Sequence, residues 1–346
     1  MAKKFPQFPS RRMEGRAQSV AFHSPIEIAP VEDKRSIYKF ISERGLLVAL
    51  LLMVTVFTFS SDYFFTWDNF INILAQVAIV SLIAVPMTMV IISGQIDLSV
   101  GSIVGLAGSV IGKLMVERGM NFFLAVLITL AVGAMFGFVN GFISAQFNIP
   151  AFIVTLATMT SISGVSLELT GGYPISGFPD SFSYWGQGFL GPIPVPVIFM
   201  AILYLVGHFV MSQTTFGRKI YAIGGNEEAA RLSGIRVAKI KIIVMTITGG
   251  VSALSGILLA SKLTSGISNA GATYMLDVIA GVIIGGTNLF GGEGRISGTF
   301  VGILFMGILA NGLVLIGISP FMNFIVQGLV VLFAVGLNTL KNRKRN

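Results

Sequence analysis

The 346-residue sequence is 54% hydrophobic and only 11% charged, too little polar surface to clothe a soluble domain of this length, so it reads as a polytopic membrane protein. It holds no cysteine, which excludes a disulfide framework and any thiolate metal site. The net charge of +8 tracks membrane sidedness along the chain, which argues against nucleic acid as a partner.

Residues 1–44 are polar and basic, are punctuated by Pro6, Pro9, Pro25 and Pro30, and lack the apolar core of a cleavable signal. They read as a flexible basic cytoplasmic tail. A crossing of the bilayer needs about 20 apolar residues. Segments 44–60, 70–93, 122–146, 195–211, 242–260 and 320–340 meet that requirement clearly. Segments 99–116, 150–169, 275–290 and 297–317 meet it with glycine or polar interruptions. The fold class is therefore all-α, a polytopic membrane helix bundle of about ten transmembrane helices occupying 45–340.

An even number of crossings puts both termini on one side. With that side cytoplasmic, 20 of the 23 lysines and arginines lie inside, four of them in a second basic tail at 341–346. Only Lys113, Arg118 and Lys262 lie outside, a strong positive-inside asymmetry. The longest outer loop, 170–194, has no basic residue and carries aromatics suited to the interface.

Glycines recur at spacings of three or four: Gly101, Gly105, Gly108 and Gly112; Gly133, Gly137 and Gly141; Gly281 and Gly285. Such spacing keeps them on one helix face, where neighbouring backbones can approach. "VGSIVGL" at 100–106 and "SGTFVGI" at 297–303 share two glycine positions, through an internal repeat or through shared small-residue packing.

No catalytic set can be assembled. The two histidines, His23 and His208, are far apart in the chain, and "GSVIGKL" at 108–114 departs from a phosphate loop at Ala107 and Leu114. Asp97, in "SGQIDLSVGS" at 93–102, stands just before the third span. There it or Ser99 can cap the helix, or the helix start can face a substrate path. Glu168 and Asp277 fall near outer ends and read as solvated. Within spans the polar side chains are neutral: Gln76, Asn140, Asn311, Asn323 and Gln327. Each serves as interhelical glue by default. Asn140, Asn311 and Gln327, with Asp97, are the residues expected to line or brace a path for a neutral, hydroxyl-rich solute, since no chain of buried charge exists to relay protons or hold sodium.

The cytoplasmic stretch 212–241 runs to about thirty residues, far beyond the usual connector of two to eight. Inside it "GGNEEAARLSG" encodes a short helix. Asn226 is its N-cap, Glu227 and Glu228 favour the positive helix start, and Gly234 is a left-handed stop. Ala229 and Ala230 form a small close-packing face, Arg231 can fix orientation by charge, and Leu232 and Ser233 complete the last turn. A capped helix in a long loop points to a docking surface.

The blocks "GQIDLSVGS" (94–102), "NIPAFIVTLATM" (148–159), "FGRKIYAIGGNEEAARLSGI" (216–235), "VIIGGTNLFGGEGRISGT" (282–299) and "NGLVLIGIS" (311–319), in this order, resemble the ribose, xylose and galactose-type permeases of bacterial ABC importers, from about residue 45 to the C-terminus. The resemblance implies a ten-helix permease of the inner membrane. It also implies a second permease copy, a periplasmic solute-binding protein and cytoplasmic ATPases as partners, with no cofactor on this chain and ATP and Mg²⁺ on the ATPases. In that family an "EAA...G" segment is the coupling helix, a spacing reproduced by Glu228, Ala229, Ala230 and Gly234. The Leu-Pro found after this segment in other ABC importers is absent. A stand-alone secondary transporter or channel is the alternative on hydropathy, disfavoured by the lack of intramembrane charge. An intramembrane enzyme lacks catalytic groups.

Overall fold

In the computed structural model, residues 34–343 are described, and Arg44–Asn346 form one compact unit. The tail read over 1–44 lies mostly outside the described residues, as does the end of 341–346. The first helix, α1, runs Lys34–Ser60.

The bundle is organised around α2 (Trp67–Ile92). Its start is fixed by Thr66, whose Oγ1 accepts the Asn69 N–H at 3.3 Å, with Asp68 in the first turn favoured by the helix dipole. From Val77 to Ile92 nearly every residue is buried, because helices pack around it on all sides: α7 (Val195–Gln213), α10 (Val237–Leu263), α11 (Tyr274–Ile284) and α12 (Ile296–Leu315). A second layer comprises α3 (Val100–Gly112, continued as a π-helical turn Lys113–Glu117), α4 (Phe122–Phe147) and α5 (Ala151–Thr170). The short α6 (Asp180–Gln187) lies in the loop between α5 and α7, α8 (Thr215–Gly225) and α9 (Glu227–Leu232) occupy the long loop after α7, and α13 (Pro320–Arg343) is the last described helix. Sheet is confined, among the described residues, to two antiparallel two-residue pairs, Ile175–Ser176 with Ser265–Gly266 and Phe189–Leu190 with Ile193–Pro194.

Among the described residues, seven helices are long and apolar enough to cross a membrane: α2, α3 with its π-turn, α4, α5, α7, α10 and α12. Three shorter apolar stretches, Gly45–Ser60, Tyr274–Ile284 and Phe321–Phe333, lie where the sequence predicts the other crossings. The chain is a multi-pass membrane protein whose described residues are mostly helical.

Lipid gives apolar helices no hydrophobic reason to associate, so close backbone packing must hold the bundle. The glycine ladders supply it. On α4, Gly133, Gly137 and Gly141 are buried against α10, and a Cβ at Gly133 would meet the Ala253 Cβ and the Gly249 carbonyl oxygen, both at 2.5 Å. At Gly141 it would stand 2.8 Å from the Ile242 Cα. Gly281 on α11 and Gly285 at its C-cap serve α12 likewise, meeting Ile303 and Gly298.

Two boundaries and one helix cap differ from the sequence expectation. The segment read as 275–290 is helical only to Ile284, because Gly286 takes a left-handed φ of 91° and turns the chain into an irregular loop. The tenth helix of the chain begins at Val237 rather than at 242, so much of the expected loop belongs to α8 and to the start of α10. Asp97 does not cap the third span by bonding into its first turn. The N-cap residue is Ser99, which makes no side-chain capping bond, and Asp97 binds Ser99 itself.

Candidate coupling surface and interhelical junction

The loop after α7 is built by two successive caps. Thr214 Oγ1 accepts the Gly217 N–H at 3.2 Å and opens α8; Asn226 Oδ1 accepts the Ala229 N–H at 2.9 Å and opens α9. At the far end Gly234, at a φ of 81°, lets the Gly234 N–H reach the Arg231 carbonyl (3.0 Å) and the Ile235 N–H reach that of Ala230 (3.1 Å). These bonds satisfy carbonyls that a six-residue helix would otherwise leave open.

The faces of α9 then divide. Ala230 is buried against the bundle, and Glu227 is anchored by Lys241 of α10 at 2.6 Å. Ala229, Glu228, Arg231 and Ser233 face solvent, and Leu232 is 81% exposed. Arg231 makes only loose pairs with Glu227 and Glu228, at 3.5 and 3.8 Å, between exposed groups. Leu232 and Ala229 thus lie on the open side of a helix whose other side is fixed to the bundle.

α8 ties this surface to the interior. The Tyr221 hydroxyl donates to the Gly294 carbonyl at 2.8 Å, and the Gly292 N–H donates to the Ile92 carbonyl at 2.9 Å. Burial pushes the Tyr221 phenol up, with Arg295 opposing, so the hydroxyl keeps its proton and stays a donor. The end of α2, the loop 286–295 and the end of α8 therefore meet, with backbone against backbone at Gly224, Gly291 and Gly292.

From Ile92 the chain enters the connector 93–99, a polar junction in which hydrogen bonds rather than ion pairs hold the one carboxylate. Asp97 Oδ1 accepts from the Ser99 N–H (2.8 Å) and hydroxyl (2.6 Å), Asn140 Nδ2 of α4 donates to the Ser99 Oγ (2.9 Å), and Thr155 Oγ1 of α5 reaches the Ile96 carbonyl (3.2 Å). Asp97, Ser99, Asn140 and Thr155 are all fully buried.

The other two path residues lie elsewhere. Asn311 of α12 exchanges both amide bonds with Asn69 of α2, at 2.9 and 3.0 Å, at the end of α2 remote from Ile92. Gln327 of α13 borders a cleft of about 80 Å³ together with Gln76 and Asp277. Asp277, read from the sequence as solvated, is half-buried there. The four residues thus fall into separate groups. Asn69 is not singled out by the sequence, since a polar residue in a first helical turn signals only a helix start.

Residues 69–335 match the family described as the permease component of the branched-chain amino acid transport system. The chain belongs to this permease family. It is a transport subunit and not itself an enzyme. It is 42% identical over 301 residues to the ribose import permease protein RbsC of Haemophilus influenzae, covering 86% of this chain and 93% of that one. Identity to RbsC of Escherichia coli strain K12 is 43% over 306 residues (87% and 95%), and to the galactose/methyl galactoside import permease protein MglC of the same strain 34% over 331 residues (90% and 98%). No solved structure matches.

Proposed function

We propose that this permease is the membrane-spanning subunit of an ATP-driven importer, translocating a sugar handed over by a periplasmic binding protein across the bacterial inner membrane. The observation that carries the reading is the α8–α9 unit: a doubly capped helix pair, outward-facing at Ala229 and Leu232, bonded inward to α2 through Tyr221, Gly294, Gly292 and Ile92. A partner that moves α9 moves the end of α2 and the junction around Asp97. ATP and Mg²⁺ act on cytoplasmic ATPase partners, and this chain binds no cofactor of its own. The names of its relatives support a sugar as cargo, ribose before galactose on identity.

Ten crossings with both termini cytoplasmic result from adding the three short apolar helices to the seven long ones, with the basic residues held inside. A second copy is supported by α5. This span is largely uncovered, and the polar Thr160, Ser161 and Glu168 on its open face, beside Gly164, are less suited to lipid than to another chain or a water-filled path. Asp97 and Asn140 brace the junction, Asn311 braces α2 against α12, and Gln327 faces the cleft beside Asp277.

Reconstitution in proteoliposomes tests the reading. Uptake of radiolabelled ribose is expected only when the permease, its ATPase partner, the binding protein and ATP are all present. Uptake by the permease alone, driven by a sugar or ion gradient, would overturn it in favour of a stand-alone carrier.

A further inference from the structure

A cavity of about 540 Å³ opens between α9 and the starts of two long helices. Its polar lining is Gln95, Ser144, Asn148, Glu227, Arg231, Arg236 and Lys241, and the first residues of α5 and α10 also border it. Three cations face one carboxylate. That carboxylate is already held by Lys241 at 2.6 Å and approached by Arg231 at 3.5 Å, while Arg236 forms no ion pair among the described residues.

Two further observations have the same sign. The 20-residue α5 and the 27-residue α10 both begin at this cavity, neither with a side-chain cap nor with an acidic residue in its first turn; the Val237 N–H is taken by the Ile235 carbonyl (2.9 Å), but the positive ends of both helices lie at the cavity. Gln95, 4% exposed, directs its Oε1 to the Ser93 hydroxyl (3.3 Å), yet its Nε2 finds no acceptor among the described residues. A buried amide donor without a partner is costly, and a ligand oxygen entering beside Gln95 would satisfy it.

We propose that this cavity binds a phosphate-bearing anion, held by the Arg236 and Arg231 guanidiniums, the Gln95 amide and the N-termini of α5 and α10. Guanidinium forks match phosphate oxygens in pairs, and helix N-termini offer free N–H groups to the same oxygens. Bound there, the anion links α9 to α5 and α10 and sets how firmly α9 is held. The binding itself does not depend on the importer reading, because the test uses neither ATPase nor uptake. The phosphate belongs either to a soluble phosphorylated compound or to an anionic lipid headgroup.

The experiment is calorimetry and thermal unfolding of the full-length permease in nanodiscs. In phosphatidylcholine nanodiscs, saturable binding of inorganic phosphate or glycerol 3-phosphate, weakened about tenfold by Arg236→Gln and by Gln95→Leu, establishes the site with a soluble ligand. Arg236 is exposed, so its replacement leaves the fold intact. Where neither soluble probe binds, stabilisation by equimolar phosphatidylglycerol that is lost in Arg236→Gln establishes the headgroup as ligand. Binding that is absent for every probe, or unchanged in both variants, overturns the proposal.

Discussion

Asn69 and Asn311 hold each other by two amide hydrogen bonds, 3.0 and 2.9 Å, across 242 residues of chain. The pair locks the first turn of α2 to the last turns of α12, and Asn69 Nδ2 also reaches the Phe64 carbonyl at 2.9 Å. Replacing one partner by leucine strands the other amide in an apolar setting, at a cost of about 1–3 kcal/mol. Asn69→Leu and Asn311→Leu should each lower the thermal unfolding midpoint in detergent. The double variant should lose less than the sum, because neither amide is then left facing an apolar replacement. Strict additivity would show that the two amides are not coupled.

A second expectation concerns Asp97. Both of its hydrogen bonds use Oδ1 as acceptor, a role an asparagine oxygen keeps. Asp97→Asn should therefore retain uptake within a few-fold, whereas Asp97→Leu and Asn140→Leu, which strand Ser99 or its partner, should each cost about 1–3 kcal/mol and much of the transport. A severe uptake loss in Asp97→Asn at normal membrane levels would mean that the negative charge itself is used.

The α4–α10 seam offers a purely steric test. A methyl group at Gly133 meets the Ala253 Cβ and the Gly249 carbonyl at 2.5 Å, and the backbone atom cannot swing away. Gly133→Ala should destabilise by about 1–3 kcal/mol, read as a lower unfolding midpoint. Gly164→Ala, on the open face of α5 with nothing within 4 Å, should leave the midpoint of the isolated subunit unchanged.

How far these features are legible in the sequence depends on whether their cause is local. Spans arise from runs of apolar residues, and the caps at Asn226 and Gly234 from residue types whose geometry is decided within three or four positions. The glycine ladders declare a close-packed face, though not which helix fills it; that α4 meets α10 depends on residues more than a hundred positions apart. α8 escapes notice because it is neither a span nor glycine-free, although Thr214 as cap and Ile220 and Ile223 as buried anchors mark it. The Asn69–Asn311 clamp, the Glu227–Lys241 bridge and the separation of Gln327 from Asn140 are wholly tertiary. A list of intramembrane polar residues does not distinguish members of one junction from members of another.

The link from α8 to α2 can be weakened without touching the docking face. Tyr221→Phe removes only the hydroxyl that donates to the Gly294 carbonyl, a loss of about 1 kcal/mol. The variant should bind the ATPase as the parent does, yet show less sugar moved per ATP hydrolysed. An unchanged transport ratio would remove Tyr221 from the route between α9 and α2.

The two alanines of α9 give the sharpest test, because they are adjacent in sequence and opposite in environment. Ala229 is exposed and Ala230 buried, so a tryptophan at 229 meets only a docked partner, while one at 230 meets the bundle's own core. Ala229→Trp should insert and unfold normally but fail to retain the ATPase on co-purification. Ala230→Trp should lower the unfolding midpoint of the permease by itself. Leu232→Ser, removing an apolar side chain that is 81% exposed in the free subunit, should weaken ATPase association about tenfold if that side chain is buried on docking. Gly234→Val imposes a β-branched side chain on a φ of 81° and should loosen the end of α9, lowering coupling without preventing insertion. ATPase retention and ATP-driven uptake, measured together in membranes holding each variant, decide the matter. Intact association and uptake in Ala229→Trp, Leu232→Ser and Gly234→Val alike would reduce residues 226–234 to a connector.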